Sequence, residues 1–435
     1  MRAFFCPEGL AYGSHSNSME SALAIAPVLT ASISNDHQAT HLELLFVDDE
    51  QRVLDGLQRM LRPMRHEWAM RFCISGEAAL TELNRQRADV VVSDMRMPGM
   101  SGAELLGTVM RLWPATVRII LSGHADAELV HRTVGPTHQY LQKPCDTEVL
   151  KSTVTRASRL RSLLAEGRLR DLVGNLKTLP SQPDLYFKLV GLMQAQNANM
   201  AAVGELVAQD LGMTVKLLQL VNSAFFGLKR EVARVQDAVN MLGMETLQAL
   251  VLSVHAFSAY EESRCGGLNT QRLWQHSHSV AQLARRIAQA ENQLPVHAEE
   301  TYLAAMMHDV GKLVLAVNLP EDFSQVRVIA DAQHLPDHEA ERIIFGASHA
   351  EVGAYLLGLW GISDPVVEAV AWHHHPALSE RRGFSAIAAV HVADIIDLAC
   401  HNEPGQKRIE ADFINSIGCG RRLPEWLKLA KTENG

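Results

Sequence analysis

With 435 residues, the chain is longer than one hydrophobic core usually serves, so its length predicts two or three domains of ordinary size. Hydrophobic residues make up 47% and charged residues 20%, and no stretch approaches the roughly 20 apolar residues of a membrane-spanning helix, which excludes that class. The formal charge of −9 disfavours a large nucleic-acid-binding surface. The 6 Cys show no CxxC spacing, which suggests neither a disulfide framework nor a zinc-thiolate site. We therefore expect a soluble cytoplasmic protein.

Residues 1–42 are the first predicted segment, which is rich in Ser, Ala, His and Asn and shows no sustained hydrophobic periodicity. This composition is typical of a disordered leader. The apolar run 22–31 follows Glu20 and lacks a basic region, so it does not favour a secretory signal.

Between residues 43 and 160, short apolar runs alternate with amphipathic stretches, which is typical of buried parallel strands alternating with helices. The predicted strands are Leu44–Val47, Met70–Ile74, Val90–Ser93, Val117–Leu121 and Gln139–Leu141, with helices such as Arg52–Leu61 and Gly102–Leu112 between them. This pattern predicts an α/β fold with a doubly wound five-stranded parallel sheet, whose site lies at the carboxyl ends of the strands.

Three carboxylates, Asp48, Asp49 and Asp94, directly follow apolar strand runs, so the fold should bring them to one edge of the sheet. Carboxylates so close repel one another, and their coexistence is best explained by a hard divalent cation such as Mg²⁺, which prefers oxygen ligands. Two further strand ends supply Ser122 and Lys143. A carboxylate can attack a phosphoryl group while Mg²⁺ and Lys offset its charge, so we predict a phosphate site. Any one Asp alone would instead be an ordinary strand-end or capping residue.

Four segments carry a resemblance to the receiver family of response regulators: FVDDE at 46–50, VVVSDMRMPGMSG at 90–102, LSGHAD at 121–126 and QYLQKP at 139–144. The resemblance covers residues 43–160. It implies that Asp94 is the phosphoacceptor and that Asp48 and Asp49, together with the Arg96 backbone carbonyl, hold Mg²⁺ with it. It also implies that Lys143 pairs with the phosphoryl group.

The same resemblance implies a switch at the strand ends. Ser122 would be the switch hydroxyl, and Tyr140 the aromatic residue that turns inward when the hydroxyl engages phosphate. Gly123 would leave room beside it.

Residues 161–177 are predicted to form a linker helix after this domain. Its apolar positions, together with those of the preceding helix, are Leu150, Val154, Leu160, Leu164, Leu169 and Leu172. Two interpretations stay open: the last receiver helix runs into a linker, or an imperfect heptad pattern forms a coiled coil in a homodimer.

From residue 178 to residue 400 we predict an all-α domain in which prolines punctuate successive helices. Residues 401–435 form a C-terminal tail with one short predicted helix, Pro424–Ala430. The chain carries 20 His, and more than half lie between His255 and His401, which suggests ligands.

The strongest histidine motif is His308-Asp309 within AAMMHDVGKLVL, where two ligand-type side chains interrupt an apolar helix face and Lys312 follows as an auxiliary group. A buried doublet needs a partner, which a metal would supply. Further candidate ligands from other helices are His276, His349, His373, His374 and Asp394. Two metals held in this way would suit phosphodiester hydrolysis by activated water, whereas the alternative is a degenerate pocket kept as a polar core.

The segment 178–400 resembles the HDOD family, a divergent branch of the HD hydrolase superfamily related to HD-GYP phosphodiesterases. The resemblance rests on LPSQPDLYFKL at 179–189, QDLGMTVKLLQLVNSAFFG at 209–227, VQDAVNMLGMETLQAL at 235–250, the HD motif and SHAEVGAYLLGLWGISDPVVEAVAWHHHP at 348–376. It implies a regulatory scaffold for protein contacts in signalling. The stretch after His375, PALSERRGFSA, lacks a GYP element, which disfavours hydrolysis of cyclic di-GMP.

These patterns favour a response regulator of a two-component phosphorelay. A sensor histidine kinase would phosphorylate Asp94 with Mg²⁺, and the HDOD domain would then act on other signalling proteins without catalysis. The alternative is an enzyme, in which the receiver gates a phosphodiesterase that uses transition metals and acts on a cyclic nucleotide such as cyclic di-GMP.

Overall fold

The computed structural model of the chain describes residues 41–122, 136–176, 188–189, 192–193, 199–222, 232–253, 265–401 and 408–431. Apart from residues 41 and 42, the predicted leader lies outside these ranges. So do residues 123–126 of the LSGHAD motif, including Gly123.

The apolar runs of the N-terminal half form five parallel strands in the order β2-β1-β3-β4-β5. They are β1 (Leu42–Val47), β2 (Trp68–Cys73), β3 (Val90–Asp94), β4 (Val117–Ser122) and β5 (Gln139–Gln142). Every residue of the central strand β3 (VVVSD) is buried, as is typical of a parallel strand that is covered on both faces. The predicted doubly wound parallel sheet is confirmed, with bounds that shift by up to two residues; Ile74 lies beyond β2 and is exposed.

The helices between the strands are α1 (Gln51–Met60), α2 (Gly76–Arg85) and α3 (Gly102–Leu112). Helix α3 begins in a capping box, in which the Ser101 hydroxyl accepts from the Glu104 backbone N–H and the Glu104 carboxylate accepts from the Ser101 backbone N–H. A Cβ at Gly102 would overlap the carbonyl oxygen of Asp94. Glycine therefore lets the start of α3 lie directly against the strand end that carries Asp94.

After the sheet, the chain continues as α4 (Thr147–Arg161) and α5 (Gly167–Gly174), so the expected linker helix over 161–177 is interrupted between Arg161 and Gly167. The apolar positions of this stretch turn inward: Leu150, Val154, Leu160, Leu164 and Leu169 are all buried within the chain. The predicted coiled-coil seam is therefore covered by the chain's own residues.

Arg118 in β4 connects α5 to the sheet through hydrogen bonds. Its guanidinium is fully buried and donates to the carbonyl oxygens of Gly174 and Pro136, each at 2.5 Å, and of Thr116 at 3.0 Å. Burial lowers the pKa of Arg118 to about 9. Because carbonyl oxygens satisfy these donors, α5 and the edge of the sheet are held as one unit.

The described part of the C-terminal half is helical, which confirms the predicted helical domain. Its helices are α6 (Met200–Val207), α7 (Leu211–Val221), α8 (Val235–Ser253, kinked at Gly243), α9 (Thr270–Ala290), α10 (Pro295–Met307), α11 (Val310–Asn318), α12 (Pro320–Gln333), α13 (Asp337–Phe345), α14 (His349–Leu359), α15 (Asp364–Trp372), α16 (Ala386–Cys400), α17 (Ala411–Ser416) and α18 (Leu423–Lys431). Helix α18 confirms the short helix predicted in the tail. Within the described ranges, no helix combines the length and apolar character that crossing a membrane requires.

Helix α14 is buried at all of its residues, from His349 to Leu359. It packs on α11 and α15 and also on α4 and α5. Two glycines allow these close approaches: a Cβ at Gly358 would collide with the Leu160 side chain of α4, and one at Gly353 would lie 3.1 Å from the backbone nitrogen of Gly311 in α11. Helix α14 therefore lies between the sheet domain and the core of the helical domain.

Candidate functional site

The carboxyl edge of the sheet brings Asp48, Asp94 and Lys143 together. The Lys143 ammonium donates to Asp48 Oδ2 at 2.6 Å and also pairs with Asp94 Oδ1. Asp48 and Asp94 are buried, whereas Asp49 is exposed beside them. The backbone N–H of Arg96 donates to Asp94 Oδ2 at 3.1 Å. Three predicted site residues from three different strand ends thus form one pocket.

Charge in this pocket is incompletely balanced. Burial raises the pKa of Asp94, and the Asp48 carboxylate adds to this, although hydrogen bonds and charge from Lys143 oppose it. Burial opposes the charge on Lys143, but the two carboxylates outweigh it and raise the pKa of the ammonium. One ammonium therefore serves two buried carboxylates.

The pocket fits a hard divalent cation. Two buried carboxylates share one ammonium, and the exposed Asp49 carboxylate adds a third negative group next to Asp48. Oxygen donors of this kind are the ligands that Mg²⁺ prefers, and it keeps several of its waters. When bound, the cation would offset charge on a phosphoryl group.

The switch residues are placed in part. Tyr140 lies in β5, pairs in register with Ile120 of β4, and is only 4% exposed, so its ring points inward. The backbone of Ser122 ends β4, and its side chain lies outside the described atoms. The predicted hydroxyl role of Ser122 therefore stays a prediction.

All seven predicted ligands of the helical half meet in one buried region. His276 lies in α9, His308 and Asp309 form the break between α10 and α11, His349 begins α14, His373 and His374 follow α15, and Asp394 lies in α16. None is more than 8% exposed. Helix ends and faces from six helices thus converge on one point.

The first cluster consists of His276, His308, Asp309 and Asp394. His276 Nε2 lies 3.2 Å from His308 Nε2 and 3.1 Å from Asp394 Oδ1. Asp309 Oδ2 lies 3.6 Å from His308 Nε2 and 3.8 Å from His276 Nε2. Bond lengths of about 2.0–2.2 Å place tetrahedral ligand atoms about 3.4 Å apart, so these separations suit a shared metal ion.

The second cluster consists of His349, His373 and His374, next to Asp309. His349 Nε2 lies 3.0 Å from His374 Nε2 and 3.1 Å from Asp309 Oδ1. The ligand atoms of the three histidines all lie within 4.8 Å of one another. Asp309 therefore stands between the two clusters, with one carboxylate oxygen toward each.

The histidine tautomers leave lone pairs that point into the clusters. His308 Nδ1 donates to the Ala305 carbonyl at 2.6 Å, and His373 Nδ1 donates to the Val370 carbonyl at 2.8 Å. In a neutral ring, each Nε2 then carries the lone pair. His373 Nε2 is buried without a hydrogen-bond partner among the described residues. These nitrogens fit metal ligands, because an unpaired buried acceptor is otherwise costly.

Two supporting carboxylates were missed by sequence reasoning. His276 Nδ1 donates to Asp397 at 2.7 Å, and His349 Nδ1 donates to Glu341 at 2.6 Å. Such carboxylates orient metal-binding histidines and raise their basicity. Asp397 follows Asp394 by three residues on the same helix, a spacing that could have revealed it. Glu341 comes from α13, and no sequence signal connects it to His349.

Opposed electrostatic effects set the charges of the two clusters. Burial lowers the pKa of His276, but hydrogen bonds with Asp394 and Asp397 outweigh it and raise the pKa to about 10. Burial holds the pKa of His374 well below its usual value. Burial disfavours a charged Asp309, yet Lys312, which donates to it at 2.7 Å, and the neighbouring imidazoles hold its pKa well below the usual range. The carboxylates therefore stay ionised and attract cations.

A cavity of about 540 Å³ opens beside the clusters. Its lining includes the ligands His276, Asp309, His349, His374 and Asp394 together with the cationic side chains Arg272, Lys312 and Arg327. The volume is in the range of small-molecule sites. A metal bound here would face an accessible space whose wall carries these cations and also the carboxylates of Asp337 and Glu341.

Comparison with known families and proteins adds to this geometry. The family model of the response regulator receiver domain matches residues 44–155, and that of the HDOD domain matches residues 179–376. An uncharacterized protein of Treponema pallidum is 24% identical over 204 residues, which are 47% of this chain and 39% of that protein.

The hydrogenase transcriptional regulatory protein HoxA of Cupriavidus necator is 36% identical over 140 residues, which are 32% of this chain and 28% of HoxA. The chain thus spans less than half the length of either relative. The crystal structure of the MmoQ response regulator from Methylococcus capsulatus is 23% identical, with 57% of this chain and 98% of that one covered at a TM-score of 0.45.

We expect the purified chain to take up a transition metal such as Zn²⁺, and His308→Ala and Asp309→Ala to lower the amount bound, because each removes a ligand. Uptake should weaken as the pH falls, since imidazole must be deprotonated to bind metal. Elemental analysis after dialysis against Zn²⁺ measures both effects.

The matched control is His297→Ala, since His297 is an exposed histidine of α10 whose ring pairs with nearby Glu300. Its metal content should equal that of the native chain. Native protein that remains metal-free after dialysis would contradict the metal interpretation.

Proposed function

Because the chain carries a response regulator receiver domain followed by an HDOD domain, we propose that phosphorylation of Asp94 by a sensor histidine kinase switches what the HDOD domain binds. The observation that carries this proposal is the pocket in which Lys143 pairs with both Asp48 and Asp94. The output is a change in contacts with other signalling proteins, and the setting we propose is the cytoplasm, where sensor kinases deliver their phosphoryl groups.

The proposed transfer is a substitution at phosphorus. A carboxylate oxygen of Asp94 attacks the phosphoryl group of a kinase phosphohistidine, the P–O bond of an acyl phosphate forms, and the P–N bond breaks. The imidazole nitrogen leaves with the electron pair. The phosphoryl group adds negative charge at Asp94, which the Lys143 ammonium is close enough to share.

Mg²⁺, held by Asp48, Asp49, Asp94 and the backbone carbonyl of Arg96, would neutralise charge on the transferring oxygens. The chain's own contribution is positioning. The buried Asp48 accepts the Glu50 backbone N–H at 3.0 Å through Oδ1, which directs Oδ2 toward Lys143. The nucleophile and its cationic partner are thus held by rigid strand ends.

The first test replaces the nucleophile. Asp94→Asn should abolish labelling by a small phosphodonor with Mg²⁺, because an amide is a poor nucleophile and carries no charge for the metal. Asp49→Ala should label weakly through lost Mg²⁺ coordination.

The control is Asp55→Asn, a change at an exposed Asp of α1 whose side chain accepts from Gln51. It should label like the native chain. Undiminished labelling of Asp94→Asn would refute the phosphoacceptor assignment.

The receiver pocket reaches the HDOD domain through β5 and α4. Lys143 directly follows β5, and at the start of that strand Gln139 Nε2 donates to the Gly358 carbonyl of α14 at 3.2 Å. Arg156 of α4 donates to the Ile362 carbonyl at 3.3 Å and pairs with Asp364 of α15 at 3.1 Å. Any shift of β5 or α4 therefore acts directly on α14 and the turn after it.

Helix α14 in turn reaches the metal-ligand clusters. Its first residue is His349, and a Cβ at Gly311 would overlap the His349 carbonyl oxygen, so α11 and α14 are in close backbone contact. Gly311 follows Asp309 by two residues. We propose that a movement of α14 shifts His349 relative to Asp309 and that phosphorylation alters the HDOD domain in this way.

The second test weakens this connection. Phosphorylation should change hydrogen-exchange protection near Tyr140, in residues 147–175 and in α14, and the double variant Gln139→Ala/Arg156→Ala should reduce the change in α14. Each lost hydrogen bond contributes about 1 kcal/mol, so this variant should remain folded and accept phosphate normally.

The control is Arg159→Ala, an exposed position in the last turn of α4. Its exchange response should match that of the native chain. An α14 response of equal size in the double variant would rule out this route, while the phosphoacceptor assignment would stand.

The cavity beside the clusters supports one rival function, a receiver-gated phosphodiesterase. Arg272, Lys312 and Arg327 line it and offer cationic contacts to a phosphate-bearing ligand, although Lys312 is paired with Asp309 and Arg327 with Asp337, and bound metals would activate water for hydrolysis. Against this, the stretch after His375 lacks the GYP element. We therefore place the regulatory scaffold first, since a retained ligand set does not establish turnover.

A hydrolysis assay separates the two functions. We expect no multiple turnover of cyclic di-GMP by the metal-loaded chain, phosphorylated or not. Turnover that disappears in Asp309→Ala would instead establish the phosphodiesterase.

A further inference from the structure

A third group of ligand atoms lies beside the two clusters and belongs to neither. It consists of His338 and Glu339 in the first turn of α13 and His375, which follows α15. Their ligand atoms all lie within 4.8 Å of one another. His338 is buried, whereas His375 and Glu339 are partly exposed, with 33% and 22% of their side chains accessible. An ion can thus reach this group from solvent.

Both carboxylate–imidazole distances are longer than those of ideal hydrogen bonds. Glu339 Oε1 lies 3.4 Å from His375 Nε2 and 3.6 Å from His338 Nε2, beyond the usual N–H···O separation of about 2.7–3.2 Å. Tetrahedral ligands with bonds of about 2.0–2.2 Å are separated by about 3.4 Å. One carboxylate oxygen thus faces two imidazole nitrogens at the spacing expected for ligands of one ion.

The surroundings hold the donors in place. The His338 ring stacks on His374 with centroids 4.1 Å apart and meets the His375 ring edge-on at 5.3 Å. Arg342, the nearby cation on α13, is paired with Glu351 at 3.1 Å, so its charge is largely compensated. The ring orientations are therefore set by packing, with the carboxylate left to face the two histidines.

We propose that His338, Glu339 and His375 form a third metal site, which binds a divalent transition metal such as Zn²⁺. Two imidazoles and one carboxylate are typical ligands for it, and three protein ligands leave a fourth position open. His338 also lines the 540 Å³ cavity, so the proposed site adjoins the space beside the two clusters. The site joins α13 to the segment after α15 and does not depend on phosphorylation or on catalysis.

Metal stoichiometry tests the proposal. The full chain and its variants are dialysed against Zn²⁺ and the bound metal is measured by elemental analysis, with Co²⁺ absorbance as a second readout of tetrahedral geometry. His375→Ala and Glu339→Gln should each bind one equivalent less than the native chain. The same loss should appear when either change is made in a His349→Ala background, because the third site is separate from the second cluster, which it adjoins.

The exposed His297→Ala again serves as the matched control and should bind as much metal as the native chain. Glu339→Gln preserves shape, so it reports on the ligand even if His375→Ala perturbs folding. Equal stoichiometry in the native chain and both variants would overturn the proposal. A loss that vanishes in the His349→Ala background would overturn it too, because His375 would then act only through the second cluster.

Discussion

The complete burial of α14 is the constraint on which the arrangement of both domains depends. One end of this helix is pressed against Leu160 of the receiver's last helix through Gly358, and the other end supplies His349 to the metal-ligand clusters. Packed interiors transmit displacement because they have few voids to absorb it. This helix has no solvent-facing side, and it contacts both the receiver's last helix and the histidine clusters.

The two sites handle buried charge in different ways. In the receiver pocket, a single ammonium offsets two carboxylates, which leaves room for a cation and for an incoming phosphoryl group. In the HDOD clusters, Asp309 is paired with the Lys312 ammonium, and imidazoles surround both Asp309 and Asp394. Burying such a set without partners would cost several kcal/mol per group. Protonated imidazoles and Lys312 supply balancing charge in the chain itself, and a bound metal would supply it in their place.

Sequence reasoning identified the site residues that lie at strand ends or within a motif, and it missed those that only the packing of helices brings to the site. The strand ends of a parallel sheet must meet at one edge, so Asp48, Asp94 and Lys143 could be grouped from their positions alone. The HDOD ligands required a motif, since helices give no such rule. Glu341 and Glu339 come from α13, which approaches the clusters only in the folded chain. Likewise, the leucines of α4 and α5 show a spacing that suits a coiled coil equally well, and only the structure reveals that they are buried within the chain, with Leu160 against α14.

Gln139 begins the short strand β5 and Lys143 directly follows it, which suggests how a change in charge becomes a movement. Lys143 pairs with Asp48 and Asp94, and a phosphoryl group on Asp94 would compete with Asp48 for the same ammonium. Any displacement of Lys143 is carried along β5, which is only four residues long and is paired on one side to β4. Gln139, at the opposite end, contacts α14 directly. The Lys143 ammonium, whose partners would change, is thus connected to the histidine clusters through one strand, β5, and one buried helix, α14.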